Sequence, residues 1–455
     1  MARSPIRIGL LGCGVVGSGL LHLLRQRRSE IEAALGAPVR VTRLAVRDVS
    51  KRREADLAGI ELTRDALAVA EAPDIDLLVE LMGGADAPLE AVRTALERGI
   101  PVVTANKALL STYGDGLDRA RAASGAALRH EAAVGGAIPV LQALDHGLLT
   151  ERFTLLVAIL NGTTNFILST MEREGRDFAE ALDAARTLGF AEADPSLDLS
   201  GADTAQKLTI LVRRAFRTPL AHESVPTEGI VGMELEDLRQ ADRFGYVVKL
   251  LGIAIRSADG LDVRVHPAFI PKRYLLASVR DEYNGIYLRG EAVGNMIFYG
   301  KGAGALPTAQ AVLGDVLEVA RGIALRRAVD AANRGGEPNA PCGGVASPPP
   351  PRGAFDPPPA YTPLPRESLD DVRTKYYLRF IVEDRPGVLA EIAQRLGAQR
   401  VSVAQMFQGA GVRGEASIVM LTHEGRDRDV RDAVAGIAQL RSIRGTPRAV
   451  RIFDL

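Results

Sequence analysis

Apolar residues follow two rhythms along this chain. In its first third, short unbroken apolar runs alternate with stretches whose apolar positions recur every three to four residues. Residues 6–11 form the first run and read as a buried strand, and a Gly-rich turn leads from it into a helix over 17–24. Residues 39–46, 76–81, 101–104 and 127–131 read as further strands, with a helix over 88–98. Strands alternating with helices predict an α/β layer on a parallel sheet.

The rhythm then changes. Residues 153–160 are apolar and β-like, and Asn161-Gly162-Thr163-Thr164-Asn165 opens a helix to Met171, with Thr163 or Thr164 as its cap. Pro195 disfavours helix at Asp194. Ser200 reads as an N-cap with Asp203 three residues on, and helical spacing continues through Leu208, Leu211 and Val212. Residues 261–270, 275–279 and 285–293 alternate as strands of an antiparallel or mixed sheet, which predicts an α+β domain. A glycine turn at Gly300, Gly302 and Gly304 precedes a helix over 307–333. Residues 335–365 hold two proline runs and no apolar period, so a semi-extended linker is expected there. After it, strand, helix, two strands, helix and strand over 375–453 give a βαββαβ, ferredoxin-like order.

Composition narrows the classes. A length of 455 residues suggests about three domains. Lys plus Arg and Asp plus Glu both total 56, which argues against nucleic acid as a bulk electrostatic partner. No apolar run is long enough to span a bilayer. Arg3 and Arg7 ahead of an apolar stretch imitate a signal peptide, but five glycines between Gly9 and Gly19 interrupt it. Cys13 and Cys342 lie far apart without metal-ligand spacing, and a reduced, cytoplasmic compartment is expected.

Candidate chemistry begins at Gly12-Cys13-Gly14-Val15-Val16-Gly17. Strand, GxGxxG and helix in that order form a dinucleotide-binding fingerprint, with the helix N-terminus facing the phosphates. The second strand ends at Arg47 with Lys51, Arg52 and Arg53 after it, which suits a 2′-phosphate and favours NADP; a solvated basic loop is the plainer alternative, and Asp48 keeps NAD open. Met82-Gly83-Gly84 follows a strand end and leaves room for a cofactor to approach. The densest ionisable stretch is 188–207, LGFAEADPSLDLSGADTAQK, with Glu192, Asp194, Asp198, Asp203 and Lys207. Asp203 and Lys207 are four apart and share a helix face; alone, they would also suit an ordinary surface pair, and Ser200 with Asp203 an ordinary capping box. Lysine is scarce here beside arginine, so Lys107 and Lys207 stand out as titratable amines.

GFAEADPSLDLSGADTAQKL resembles the substrate-site motif of homoserine dehydrogenases, and VVTANKALL, ILNGTTNFIL and GKGAGALPTA resemble other motifs of that family. Phe190 stands where the family often has Tyr, and the linker is longer and richer in proline. The tail string YLRFIVEDRPGVLAEIA resembles the ACT domain, a module that binds small amino acids. The fold this implies is an α/β Rossmann domain, an α+β catalytic and dimerisation domain, and a C-terminal ferredoxin-like ACT domain. The expected bounds are 1–135 completed by helix 307–333, 136–306, a linker over 334–372, and 373–455. The implied reaction is the NADP- or NAD-dependent interconversion of L-aspartate 4-semialdehyde and L-homoserine.

The resemblance also implies site residues. Lys207 and Lys107 would handle the proton at the reacting oxygen, with Asp203 holding Lys207. Glu192 would grip the substrate ammonium; Asp198, Asp203, Gly162 and Thr163 would contact the substrate. Gly12, Gly14, Val15, Val16, Gly17, Arg47, Gly83, Gly84, Lys107, Gly302, Ala303 and Gly304 would border the cofactor. Carbonyls of Glu131, Val134, Gly136 and Ile138 would hold a monovalent cation such as Na+, although a plain Gly-rich turn reads the same way. Asp384, Gly387, Val388 and Leu389 would receive an effector, expected to be threonine, and a homo-oligomer is expected, dimer or tetramer. Two rivals remain: another ACT-tailed Rossmann dehydrogenase, or a non-enzymatic amino-acid sensor. The first relies on a catalytic His, and none of His22, His130, His146, His222, His266 or His423 sits in a suitable motif.

Overall fold

The computed structural model describes residues 4–53, 55–335, 361–412 and 414–454. They form two compact units. One contains the chain up to Thr150 with Thr209–His222 and Gly300–Thr362; the other contains Glu151–Leu208, Glu223–Tyr299 and the chain from Pro363.

The first unit holds six strands: β1 Ile6–Leu11, β2 Val39–Ala45, β3 Glu61–Thr63, β4 Leu77–Glu80, β5 Val102–Thr104 and β6 Leu128–Arg129. All pair in parallel, in the order β3-β2-β1-β4-β5-β6. This is the Rossmann order, whose direction reverses between β1 and β4 and opens a crevice at the strand C-termini. The central strands of this parallel sheet are buried on both faces, and Ile6, Ile8, Leu10 and Leu11 of β1 are fully covered. Leu20 and Leu23 of helix Val15–Gln26 pack there, and so do Ala309, Val312, Leu313 and Val316 of the remote helix Ala305–Gly335.

In the second unit, β7 Phe153–Ile159, β8 Tyr246–Arg256, β9 Leu261–Pro271, β10 Tyr283–Gly290 and β11 Gly294–Lys301 form a mixed sheet with the C-terminal strands. Those are β12 Arg373–Glu383, β13 Val403–Val412, β14 Glu415–Thr422, β15 Gly425–Arg426 and β16 Ile443–Ile452. The order is β11-β10-β7-β8-β9-β16-β12-β14-β13. One short parallel seam joins the two halves, with Arg451 opposite Ala268 and Ile452 opposite Phe269. The tail keeps its own core, in which Leu378, Phe380, Ile392, Ile418 and Ile437 meet.

Four expectations need correction. Residues 275–279 are not a strand: Leu275–Ser278 is a single 3-10 turn, closed by the Ser278 hydroxyl on the Leu275 carbonyl at 2.7 Å. The cap of helix Gly162–Glu174 is Asn161 rather than Thr163 or Thr164, since its side chain accepts from Thr164 N. Ser200 and Asp203 form no capping box: Gly201 turns the chain with φ +85°, and the Asp203 carboxylate goes to Lys207. The glycine turn expected from Gly300 starts later, because Gly300 and Lys301 end a strand, β11, that its glycines conceal. Strand β8 also escapes the sequence pattern, because YVVKLLGIAIR is apolar apart from Lys249 and Arg256 and lacks the period-two signal. Of the expected linker, 336–360 and with it Cys342 lie outside the described residues. Thr362 N donates to Arg217 O at 2.8 Å, and Leu261 N donates to Pro365 O at 2.8 Å.

Candidate active site

In the first unit the three fingerprint glycines have different jobs. A Cβ on Gly12 would sit 2.5 Å from the Leu81 carbonyl oxygen, and one on Gly17 2.5 Å from that of Gly12. A Cβ on Gly14 would meet nothing within 4 Å. Gly12 and Gly17 thus serve packing, while Gly14 leaves its side open at the start of helix Val15–Gln26. Val15 is exposed and Val16 packs on the core. A cleft of about 1080 Å³ begins at Cys13, Gly14 and Val15 and reaches Arg40, Lys51, Arg52 and Arg53. Arg47 is exposed just past β2. One oxygen of Asp48 accepts from Ser50 N at 2.9 Å and from the Ser50 hydroxyl at 2.6 Å. An open backbone at a helix N-terminus beside a cationic cleft fits a dinucleotide phosphate.

Glu80, fully buried at the end of β4, ties the next two loops together. It accepts from Met82 N at 2.7 Å and from the Thr104 hydroxyl at 2.6 Å, and burial raises its pKa. Asn106 donates to the Gly84 carbonyl at 2.7 Å and caps helix Lys107–Ser124 through Leu109 N. The Met82-Gly83-Gly84 loop and the half-buried Lys107 are therefore fixed by one network. Gly83 and Gly84 both have positive φ and open space where a Cβ would go. Gly302, Ala303 and Gly304 join β11 to helix Ala305–Gly335, and a Cβ on Gly136 would meet the Gly302 carbonyl at 2.7 Å.

Glu131, Val134, Gly136 and Ile138 are all buried in one turn. The Glu131 carbonyl accepts from Val134 N and the Ile138 carbonyl from Val140 N. The Glu131 carboxylate is occupied by Leu141 N at 2.9 Å and Gln142 N at 2.6 Å, and burial pushes it up to about 7. Only backbone oxygens of this turn suit an ion, and neutral carbonyls fit a monovalent one. Among the described residues no group of three His, Cys, Asp or Glu is placed to hold a metal.

The second unit gathers the acidic stretch. Lys207 Nζ donates to Asp203 Oδ2 at 2.7 Å and to the Leu160 carbonyl at 2.9 Å. Asn161 Nδ2 donates to Asp198 Oδ1 at 2.6 Å and to Asp203 Oδ2 at 2.9 Å. The Thr163 hydroxyl lies 2.7 Å from the Phe190 carbonyl and 3.0 Å from Asp198 Oδ2. Gly162 is needed where it is: a Cβ there would be 2.8 Å from the Glu282 carbonyl oxygen. Asn284, fully buried, donates to the same Leu160 carbonyl at 3.1 Å. Glu192 is exposed on the loop that precedes Pro195. Sequence reasoning missed Glu80, Asn106, Asn161 and Asn284; an Asn just before a helix start was the available signal for Asn106 and Asn161.

At the tail, Gly387 with φ +93° caps helix Val388–Ala398, Val388 is buried and Leu389 half-buried. Asp384 is exposed, with its N–H on the Gly414 carbonyl at 2.9 Å. Among the described residues no helix is long and apolar enough to cross a membrane.

Comparison with known proteins agrees with this layout. The homoserine dehydrogenase NAD binding domain matches residues 12–131, the homoserine dehydrogenase domain 139–317, and the ACT domain 376–441. The chain is 36% identical to the homoserine dehydrogenase of Neisseria gonorrhoeae, covering 99% of each. It is 38% identical to that of Synechocystis, covering 99% of this chain and 100% of the other. A crystal structure of a homoserine dehydrogenase from Thiobacillus denitrificans is 40% identical, covers 100% of both chains and superimposes with a TM-score of 0.87. That from S. aureus is 29% identical with a TM-score of 0.73, covering 99% of this chain and 100% of that one. The chain belongs to the homoserine dehydrogenase family and carries a C-terminal ACT domain.

Proposed function

We propose that the protein interconverts L-aspartate 4-semialdehyde and L-homoserine with NADP or NAD, running towards the alcohol in threonine, methionine and isoleucine synthesis. The nicotinamide carries the hydride. The chain's own residues bind, orient and move the proton. As the aldehyde carbon is reduced, its oxygen gains alkoxide character, and Lys207 delivers a proton to it. An ammonium has three N–H donors, and Asp203 and the Leu160 carbonyl take two, so the third has a defined direction. That held amine is the observation on which the reading rests. Lys107 shares the charge at the same oxygen, and Glu192 pairs with the substrate ammonium. Thr163, Asp198 and the N-terminus of helix Gly162–Glu174 offer polar contacts to the rest of the amino acid.

Homoserine-dependent NADP reduction by the purified protein, lost about 10²–10⁴-fold in Lys207→Ala, is the expected result. Wild-type turnover in that variant would remove the mechanism. Arg47, Lys51, Arg52 and Arg53 support NADP over NAD, and parallel titrations with both cofactors decide it. The backbone oxygens of Glu131, Val134, Gly136 and Ile138 would hold Na+; activity that is the same in Na+ and in a bulky organic cation would count against it. Threonine is the proposed effector at Asp384, Gly387, Val388 and Leu389, and turnover unchanged by saturating threonine would reject it. The protein is read as a cytoplasmic homo-oligomer, without nucleic-acid or membrane partners.

A further inference from the structure

Asp198 and Asp203 each place an oxygen within hydrogen-bond distance of one nitrogen, Asn161 Nδ2. Two carboxylates this close repel each other unless something holds both. A lysine or arginine at position 161 would neutralise them, but it would also compete with Lys207 for Asp203. A primary amide has two N–H donors and no charge. Its orientation is set independently, because Asn161 Oδ1 must accept from Thr164 N at 2.8 Å, which turns Nδ2 to the carboxylates. The side chain is buried, so water does not share the task.

We propose that Asn161 is a positioning residue for the reaction, a neutral clasp that keeps Asp203 on Lys207 while setting Asp198 beside Thr163. It touches neither reactant; it acts through the two aspartates. The Asp198 oxygen that it leaves free is the one 3.0 Å from the Thr163 hydroxyl, so the clasp aligns the polar rim of the substrate site together with the amine. This rests on the role given to Lys207 above.

The helix cap and the clasp can be separated. Serine caps well but cannot reach two carboxylates. Asn161→Ser is therefore expected to keep its melting temperature within a few degrees while kcat falls about thirtyfold and the solvent isotope effect on kcat/KM rises, as proton transfer becomes more limiting. In an Asp203→Ala background the same substitution is expected to change kcat less than about threefold, since residues that act as a unit are not additive. The cycle stays readable if Asn161→Ser loses stability, because rates are compared per folded protein below the melting point. A wild-type kcat in Asn161→Ser, or an equal fold-loss with and without Asp203, overturns the clasp. Activity surviving in Lys207→Ala instead overturns the reading beneath it.

Discussion

Gly14 and Gly17 stand three positions apart, and the fold asks different things of them. An alanine at position 17 would drive its Cβ to 2.5 Å from backbone, so Gly17→Ala is expected to lower the melting temperature sharply. Gly14→Ala meets no atom within 4 Å and should keep the melting temperature while raising the KM for the cofactor, about tenfold if one phosphate contact is lost. Thermal melts beside cofactor titrations read both. Lys249 offers a second test. It is buried in β8, donating to Asn165 Oδ1 at 2.9 Å and to the Val279 carbonyl, and burial pushes its amine down from 10.5 to about 8. Below about 8 the folded state bears the full cost of a buried charge; between 8 and 10.5 the unfolded chain holds more protons, so stability rises with pH. Lys249→Met should lose that rise, and urea unfolding of both proteins at pH 8 and pH 10 would show the wild type gaining on the variant. The glycine spacing was legible because it is local. Asn161 was not, because its partners lie 37 and 42 residues further on.

At the scale of elements, burial alone does not decide which strands the sequence shows. Every residue of β9 is buried and its sequence still alternates; β8 lacks that alternation, and its Lys249 is buried only because Asn165 and the Val279 carbonyl, from other elements, accept from it. Alternation over 275–279 predicts a strand, but five residues are too few to fix a period, and Leu275–Ser278 is a 3-10 turn. Helix Leu235–Arg243 illustrates a contact that no local pattern announces. Its fully buried Asp237 accepts from Arg379 Nε at 2.8 Å and from the Tyr377 hydroxyl at 3.2 Å, both on β12. Asp237→Ala would leave a buried guanidinium short of its partner, with a loss of about 3–5 kcal/mol expected from chemical denaturation. Asp237→Asn, which keeps an acceptor, should lose less.

Across the whole molecule, the motifs told which chemistry to expect but not how the tail meets the catalytic sheet. Within the second unit, Thr227 bridges to Val265 of β9, and Ile230 N donates to the Leu199 carbonyl at 2.9 Å. Gly229 has no room for a Cβ against Leu199 and Ser200. This segment thus lies against the turn between Asp198 and Asp203. Its Glu228 pairs with Arg451 of β16 at 2.8 Å, and Arg451 also holds the buried Asp427 at 2.7 Å. Under the proposed regulation by an amino acid bound at the tail, Glu228→Gln is expected to leave turnover without the amino acid near wild type while weakening the response to it. Dose–response curves for the two proteins would show it, and superimposable curves would exclude this segment as the coupling route.

The seam between β9 and β16 bears on how the proposed tail regulation could be removed. Cutting away residues 373–455 looks like the direct way, but it would strip the partner strand from Ala268 and Phe269 and remove the Tyr377 ring stacked 4.6 Å from that of Phe269. A clipped protein would present raw sheet and a bare aromatic to its neighbours, and precipitation is the expected yield. Single changes around Gly387, at the proposed effector site, test that regulation and leave the join sealed.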